Sequence, residues 1–205
     1  MKGIFLFLFV LFLSGCSVFG VNGVESAPYT VLDTDEQANI EVRSYQSMVL
    51  VSASMDNNAF RRLFRYISGE NKGQKEIAMT APVFMNDDRQ GMKIAMTAPV
   101  FMTQNTQGAF MSFVMPSEFT LETTPEPLDP NLVVSQVIDY TAAAIQFSGT
   151  MSQRNVLKHT ELLKSWLIEN DYVALGYPVK AGYNGPWTIP KMRRNEILFA
   201  VSKNQ

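Results

Sequence analysis

One order of elements is written twice in this chain, on either side of a proline-rich break at Pro125-Glu126-Pro127-Leu128-Asp129-Pro130. Before the break, Tyr29 to Leu32, Ile40 to Tyr45 and Met48 to Ser54 read as short strands; in the second of them Ile40, Val42 and Ser44 alternate with Glu41, Arg43 and Tyr45. Asp56, Asn57 and Asn58 then offer N-caps to a helix. Phe60, Leu63, Phe64 and Ile67 fall at i, i+3, i+4 and i+7 and are predicted to face inward, with Arg61, Arg62 and Arg65 on the flank or far side and Ser68-Gly69 as the stop. A strand from Ala109 to Met115 closes at Pro116. After the break, Val133 to Ile138 and Thr141 to Ser148 read as strands, Ser152 caps a helix to about Asn170, and Tyr172 to Tyr183 and Glu196 to Val201 read as strands. The implied fold class is α+β. Two pseudo-symmetric strand-strand-helix-strand-strand units, residues 29–124 and 131–203, curve their sheets around a shared centre with a helix packed on each.

The first unit carries an additional feature, the word IAMTAPVFM, present at Ile77 to Met85 and again at Ile94 to Met102. Joined by Asn86-Asp87-Asp88-Arg89-Gln90-Gly91, the copies read as a local duplication giving two extended segments that meet at a polar turn. Each Ala-Pro step biases Ala81 and Ala98 to extended geometry and removes a donor. The segments are therefore expected at a sheet edge or bulge.

The N-terminus bears on location. Lys2 precedes an apolar run, Ile4 to Leu13, too short to span a bilayer as a helix, and Leu13-Ser14-Gly15-Cys16 closes it. This resembles a bacterial lipoprotein signal with its lipobox. The resemblance implies a signal peptide at 1–15, cleavage before Cys16, acylation of that residue and a tether at 16–28 leading to a domain at 29–203. Several acyl chains, palmitate-like in length, hold a protein to a bilayer where one holds it marginally. Ser17 stands where an inner-membrane retention signal usually shows Asp, so the expected location is the outer membrane, facing the periplasm.

Cys16 is the only cysteine. Once it is lipidated, no thiol remains for a disulfide, a metal site or a nucleophile. About 190 residues are left, enough for an adequate core without staples. With 17 basic against 19 acidic residues there is no excess of positive charge to neutralise phosphates, which argues against nucleic acid as a partner.

Several motifs occur in fixed order: AFRRLFRYISGENKG, IAMTAPV, MSFVMPSEF, PEPLDP, AAIQFSG and AGYNGPWTIPKMRRNEI. Together they resemble the SOUL haem-binding protein family across roughly Tyr29 to Lys203. The resemblance implies two β/α repeats forming a distorted β-barrel, related to GyrI-like small-ligand domains, and binding of haem or another tetrapyrrole in an apolar cleft.

A planar apolar ligand bearing two carboxylates needs an apolar slot, cationic partners and, if iron is held, an axial donor. The 12 methionines, 14 phenylalanines, seven tyrosines and two tryptophans supply lining, with Met79, Met96 and Trp187 as candidates. Arg61, Arg62 and Arg65 on the first helix and Arg193 and Arg194 before the last strand are candidates for the propionates, the alternative being solvated faces and local ion pairs. His159 is the sole histidine. It falls on or near the inward shoulder of the second helix with Val156, Leu162, Leu163, Trp166 and Leu167, and is either an axial ligand or a hydrogen-bonded structural residue.

In strand geometry Glu196 shares a face with Leu198 and Ala200. That face enters the barrel, where the carboxylate requires a partner such as Arg194 or a tyrosine. A buried glutamate with a raised pKa is also the basis of an alternative function, GyrI-like hydrolysis of a small molecule with Glu196 as acid or base. A further alternative is a ligand-free envelope interaction module using the duplicated hairpin. The principal expectation is a non-catalytic, lipid-anchored binder of tetrapyrrole.

Overall fold

The computed structural model describes residues 24–86 and 109–204. Cys16, Met96, residues 87–93 of the polar turn and the second IAMTAPVFM copy lie outside the described residues. Within them the elements are β1 (Thr30–Asp35), β2 (Ile40–Ser54), α1 (Ala59–Ile67), β3 (Val83–Asn86), β4 (Phe110–Val114), β5 (Leu132–Phe147), α2 (Gln153–Glu169), β6 (Tyr172–Ala174), β7 (Val179–Gly182) and β8 (Asn195–Lys203).

Strands β2, β4, β3, β7, β8 and β5 pair in that order, all antiparallel, and β5 returns to β2, closing a six-stranded barrel. β1 pairs with the first half of β2, and β6 with the end of β8. The expected α+β barrel with a helix on each half is present. Ser152 caps α2, accepting from the Asn155 N–H, as its place before the apolar run predicts.

The two halves meet along β2 and β5, which keep one register from Ile40↔Ile145 to Ala53↔Leu132, with the pair Gln46 and Asp139 skipped between Tyr45↔Tyr140 and Ser47↔Ile138. The sequence reads each of these as two strands, and the apolar pattern does slip phase where it is read as broken. Up to Tyr45 the odd positions of β2 point into the barrel and Ile40 and Val42 pack under α2; from Met48 the even positions point inward and Val49, Val51 and Ala53 pack under α1. Exposed Gln46 and Ser47 span the slip in β2, and Asp139, at φ 50°, spans it in β5. Pairing resumes in the same register beyond the slip while the faces exchange, so each long strand serves both helices. At the C-terminal side the single strand expected from Tyr172 to Tyr183 is instead β6 and β7, parted at Gly176, whose φ of 100° no extended strand accommodates.

Three further expectations are corrected. β3 is an interior barrel strand between β4 and β7, not an edge; Pro82 precedes the strand, so its missing N–H costs the ladder nothing. Before Tyr29, Ser26 bridges Ala81, and the buried Ala27 fits its small side chain beside Ala81 at the end of the barrel. On α1 the buried stripe is Ala59, Leu63, Tyr66 and Ile67, while Phe60 and Phe64 are 47 % and 48 % exposed. Tyr66 wins the inward place because its hydroxyl, buried with the ring, donates to the Pro125 carbonyl at 2.7 Å. Leu162 of α2 likewise faces outward, and Thr160 takes the buried position.

Candidate functional site

The barrel centre is built by alternation. On β2, Glu41, Arg43 and Tyr45 point inward opposite Ala144, Ala142 and Tyr140 of β5, and on β8 Glu196 points inward opposite Ala181 of β7. The alanines leave the volume that Arg43 and Glu196, 2 % and 0 % exposed, occupy. Arg43 grips Glu196 with both terminal nitrogens, Nη1 to Oε2 at 2.7 Å and Nη2 to Oε1 at 3.0 Å, and its Nε donates to Glu41 Oε2 at 2.7 Å. Arg194 donates to Glu196 Oε1 from Nε at 3.0 Å and Nη2 at 2.6 Å, and the Tyr183 hydroxyl donates to Oε2 at 2.7 Å. Aromatic faces complete the cluster, Tyr29 against Arg43 and Tyr183 against Arg194 with guanidinium carbons 4.5 and 4.1 Å from the ring centres.

Burial alone raises the pKa of Glu196. The hydrogen bonds and charge of Arg43, with Arg194 and Tyr183, outweigh burial and hold it below the ordinary carboxylate value. Burial pushes the Tyr45 phenol up to about 12, and burial with the adjacent carboxylate raises that of Tyr183, so both stay protonated at neutral pH. A carboxylate held ionised, with five donors on two oxygens, carries no proton to deliver and no free lone pair directed at a substrate. The cluster is therefore suited to holding the barrel together, and poorly suited to acid or base catalysis.

The apolar crevice expected between the halves is not found within the described residues: Tyr45, Tyr140, Tyr183 and the Arg43–Glu196 pair fill that space. A cleft of about 190 Å³ beside the β1–β2 turn, lined by Asp35, Glu36, Asn39, Glu41, Arg43 and Gln146, is polar. It is also smaller than the roughly 300–1,000 Å³ typical of a site for a drug-sized ligand.

On the outside, α1 presents a different surface. Phe60 and Phe64 stack with ring centres 6.1 Å apart and planes 13° from parallel, and Phe60 meets Phe113 edge-on at 5.5 Å. Arg61 and Arg65 lie beside them on the exposed face. Arg61 has no ion-pair or hydrogen-bond partner among the described residues, and Arg65 pairs only with Glu70, itself exposed. Exposed pairs of this kind contribute about 0–1 kcal/mol and are easily exchanged.

The remaining sequence candidates are placed as follows. Arg62 turns away from this face to Asp56 and to the Ser54 carbonyl, leaving its buried Nε–H without an acceptor. Arg193 clamps its own loop by donating to the carbonyls of Thr188 and Pro186, and Arg194 belongs to the barrel cluster. Met79 is partly exposed between α1 and β3; Trp187 is 85 % exposed on the loop before β8. His159 stacks on Phe147 at 4.1 Å, and its Nδ1 donates to the Asn155 carbonyl one turn back at 2.7 Å. The structure thus unites Arg194 with Glu196 and Arg61 with Arg65, and separates the rest. Arg43, Glu41, Tyr45 and Tyr183 were missed as members of the cluster. Their signal was present: a strand whose inward phase is fixed by its tyrosine must bury the arginine two positions earlier, and a buried arginine requires a carboxylate. Among the described residues no group of three His, Cys, Asp or Glu side chains is placed to hold a metal ion.

Comparison with known proteins accords with this architecture. The family described as "SOUL heme-binding protein" matches residues 24–200. A curated relative, "Heme-binding protein 1" of Xenopus laevis, is 23% identical over 189 residues, covering 87% of this chain and 93% of its own. Among solved structures, the EcmrR C-terminal domain is similar with a TM-score of 0.52 at 15% identity, over 80% of this chain and 98% of that one. A hydrolase from Listeria innocua is similar with a TM-score of 0.53 at 8% identity, over 80% and 92%. At these identities the structural likeness is one of fold. The family match over nearly the whole described domain, on the two-unit barrel it accompanies, places the chain in the SOUL haem-binding family.

Proposed function

We propose that this protein binds haem or another tetrapyrrole on the exposed face of α1, performs no chemistry on it, and is held outside the cytoplasm by acyl chains on Cys16. The observation that carries the binding site is the stacked, half-exposed pair Phe60 and Phe64 flanked by Arg61 and Arg65. Two aromatics left half in water leave apolar surface uncovered, whereas a flat macrocycle covers both rings and offers its carboxylates to guanidinium groups one turn apart. The residues fit the ligand class there, and the filled barrel does not. Haem itself would supply the iron chemistry; the chain's contribution is the apolar platform and its cations.

The test is titration of haem, and separately of metal-free protoporphyrin, into the purified protein, followed at the Soret band. Covering two half-exposed phenylalanines is worth about 1.5–3 kcal/mol, so the double change Phe60→Ala with Phe64→Ala is expected to weaken both ligands by roughly 10- to 100-fold. Unaltered affinity in that variant, with the fold intact, removes α1 as the site. No stoichiometric spectral change in the wild type at micromolar ligand removes tetrapyrrole binding itself.

A further inference from the structure

The end of the barrel at which β7 finishes and β8 begins carries the loop 183–194. Trp187 projects from it almost wholly into solvent, Ile189 and Met192 expose much of their surface, and Lys191 is exposed between them. The exposure does not come from slackness. Arg193 donates from Nε to the Thr188 carbonyl at 2.8 Å and from Nη2 to that of Pro186 at 2.7 Å. The Met192 N–H donates to the Ile189 carbonyl at 2.8 Å, the Gly149 N–H to that of Pro190 at 2.7 Å, and Thr188 is buried beneath. The carbonyls of Pro186, Thr188, Ile189 and Pro190 and the N–H groups of Thr188 and Met192 are thus bonded within the protein while the apolar side chains are held outward, which lowers the cost of bringing the loop to an apolar medium.

The N-terminal chain arrives at the same end. Ser26 bridges Ala81, the Ala27 N–H donates to the Ala81 carbonyl at 3.1 Å, and the Ala81 N–H donates to that of Glu25 at 2.9 Å. Two residues on, Val83 of β3 faces Gly182 of β7, and Gly182 faces Asn195, the first residue of β8. From Cys16 to Val24 the fully extended chain spans at most roughly 26–29 Å. A bilayer that holds acylated Cys16 therefore lies within that reach of the end of the barrel bearing Trp187.

We propose that the Trp187 to Met192 loop is a second membrane contact, entering the interfacial layer of the same bilayer that carries the acyl anchor. Trp187, Ile189 and Met192 occupy the boundary between headgroups and acyl chains, where amphipathic rings are favoured, and Lys191 meets anionic headgroups. The contact fixes how the barrel stands on the membrane, which an acyl anchor alone does not. It rests on the reading of Cys16 as lipidated.

The experiment uses the mature protein, reconstituted into vesicles of phosphatidylethanolamine with a quarter phosphatidylglycerol, with and without brominated phosphatidylcholine. The emission of Trp187 is taken as the difference between wild type and Trp187→Ala, which leaves buried Trp166 common to both. A blue-shifted difference spectrum is expected, quenched by brominated lipid and about fivefold less accessible to iodide than free tryptophan amide. Ile189→Asp, which puts a charge in the contact, is expected to return Trp187 to water. Intact mass on the same preparation reads acylation independently. An acylated protein whose Trp187 emits as in water and is open to iodide overturns the membrane contact and leaves the anchor standing. A protein without acyl mass overturns the anchor, and the contact with it.

Discussion

Replacing Glu196 by Gln separates a structural cluster from a catalytic one. The barrel centre holds two positive groups, Arg43 and Arg194, against two carboxylates, Glu196 and Glu41, of which only Glu196 is wholly buried and touches both arginines. Glutamine keeps the shape but removes the charge, and its amide nitrogen, itself a donor, must face either an arginine or the Tyr183 hydroxyl. The change leaves an uncompensated guanidinium at Arg43, with its other partner Glu41 reaching only Nε. Breaking a buried pair from one side costs about 3–5 kcal/mol. Arg43→Met should cost less, about 1–3 kcal/mol, because Glu196 then retains Arg194 and Tyr183, and Glu41, partly exposed, turns to water. Urea unfolding of both single variants and the double variant measures the costs and their coupling, which should exceed about 1 kcal/mol for groups in direct contact. The sign of the pH dependence follows. The pKa of Glu196 is lowered on folding, so its contribution is present above the ordinary value of 4.5 and is lost as the pH falls through the lower folded value, because the unfolded chain takes up the proton first. Wild type should therefore lose stability below about pH 4.5 more steeply than Glu196→Gln. A Glu196→Gln protein as stable as wild type at pH 7, with an unchanged acid limb, would falsify the charge-balance account.

Three other outcomes are expected. His159→Ala should lose about 1 kcal/mol in thermal unfolding through its stack on Phe147 and leave the haem Soret titration unchanged; a drop in haem affinity with porphyrin affinity preserved would instead show iron ligation. Asp139→Val, at φ 50° on an exposed site, should cost about 1–2 kcal/mol and Asp139→Gly almost nothing, read as a difference in melting temperature; equal effects would mean that the phase slip in β5 needs no left-handed residue. Tyr66→Phe should cost about 1–2 kcal/mol in urea unfolding by leaving the Pro125 carbonyl without its donor, and a neutral result would mean that water replaces it.

Local rules reached far into this molecule. The Ser152 cap, both helices, the inward face of Glu196 and its need for Arg194 or a tyrosine all follow from spacing and from the cost of burying a charge. So does the breaking of the apolar pattern at Gln46-Ser47 and near Asp139. Spacing does not reveal that one register holds on both sides of those breaks, because the ladder is made by the backbone of the partner strand, distant in sequence. Nor did it rank Tyr66 over Phe60 and Phe64 for the buried side of α1. All three are aromatic at compatible positions, and only the Pro125 carbonyl, brought in from the linker, decides among them.

The two-unit α+β plan, the family and the candidate chemistry are legible along the chain, because periodicity, caps and motif order act over a few residues at a time. Tertiary structure alone decided that the barrel centre is filled by an ion-paired cluster and that a stacked aromatic face is left outside. The first outcome depends on which side chains from β2, β5, β7 and β8 compete for one enclosed volume. No single segment carries the whole arrangement, because Arg43 and Glu196 stand 153 positions apart and meet only when the barrel closes.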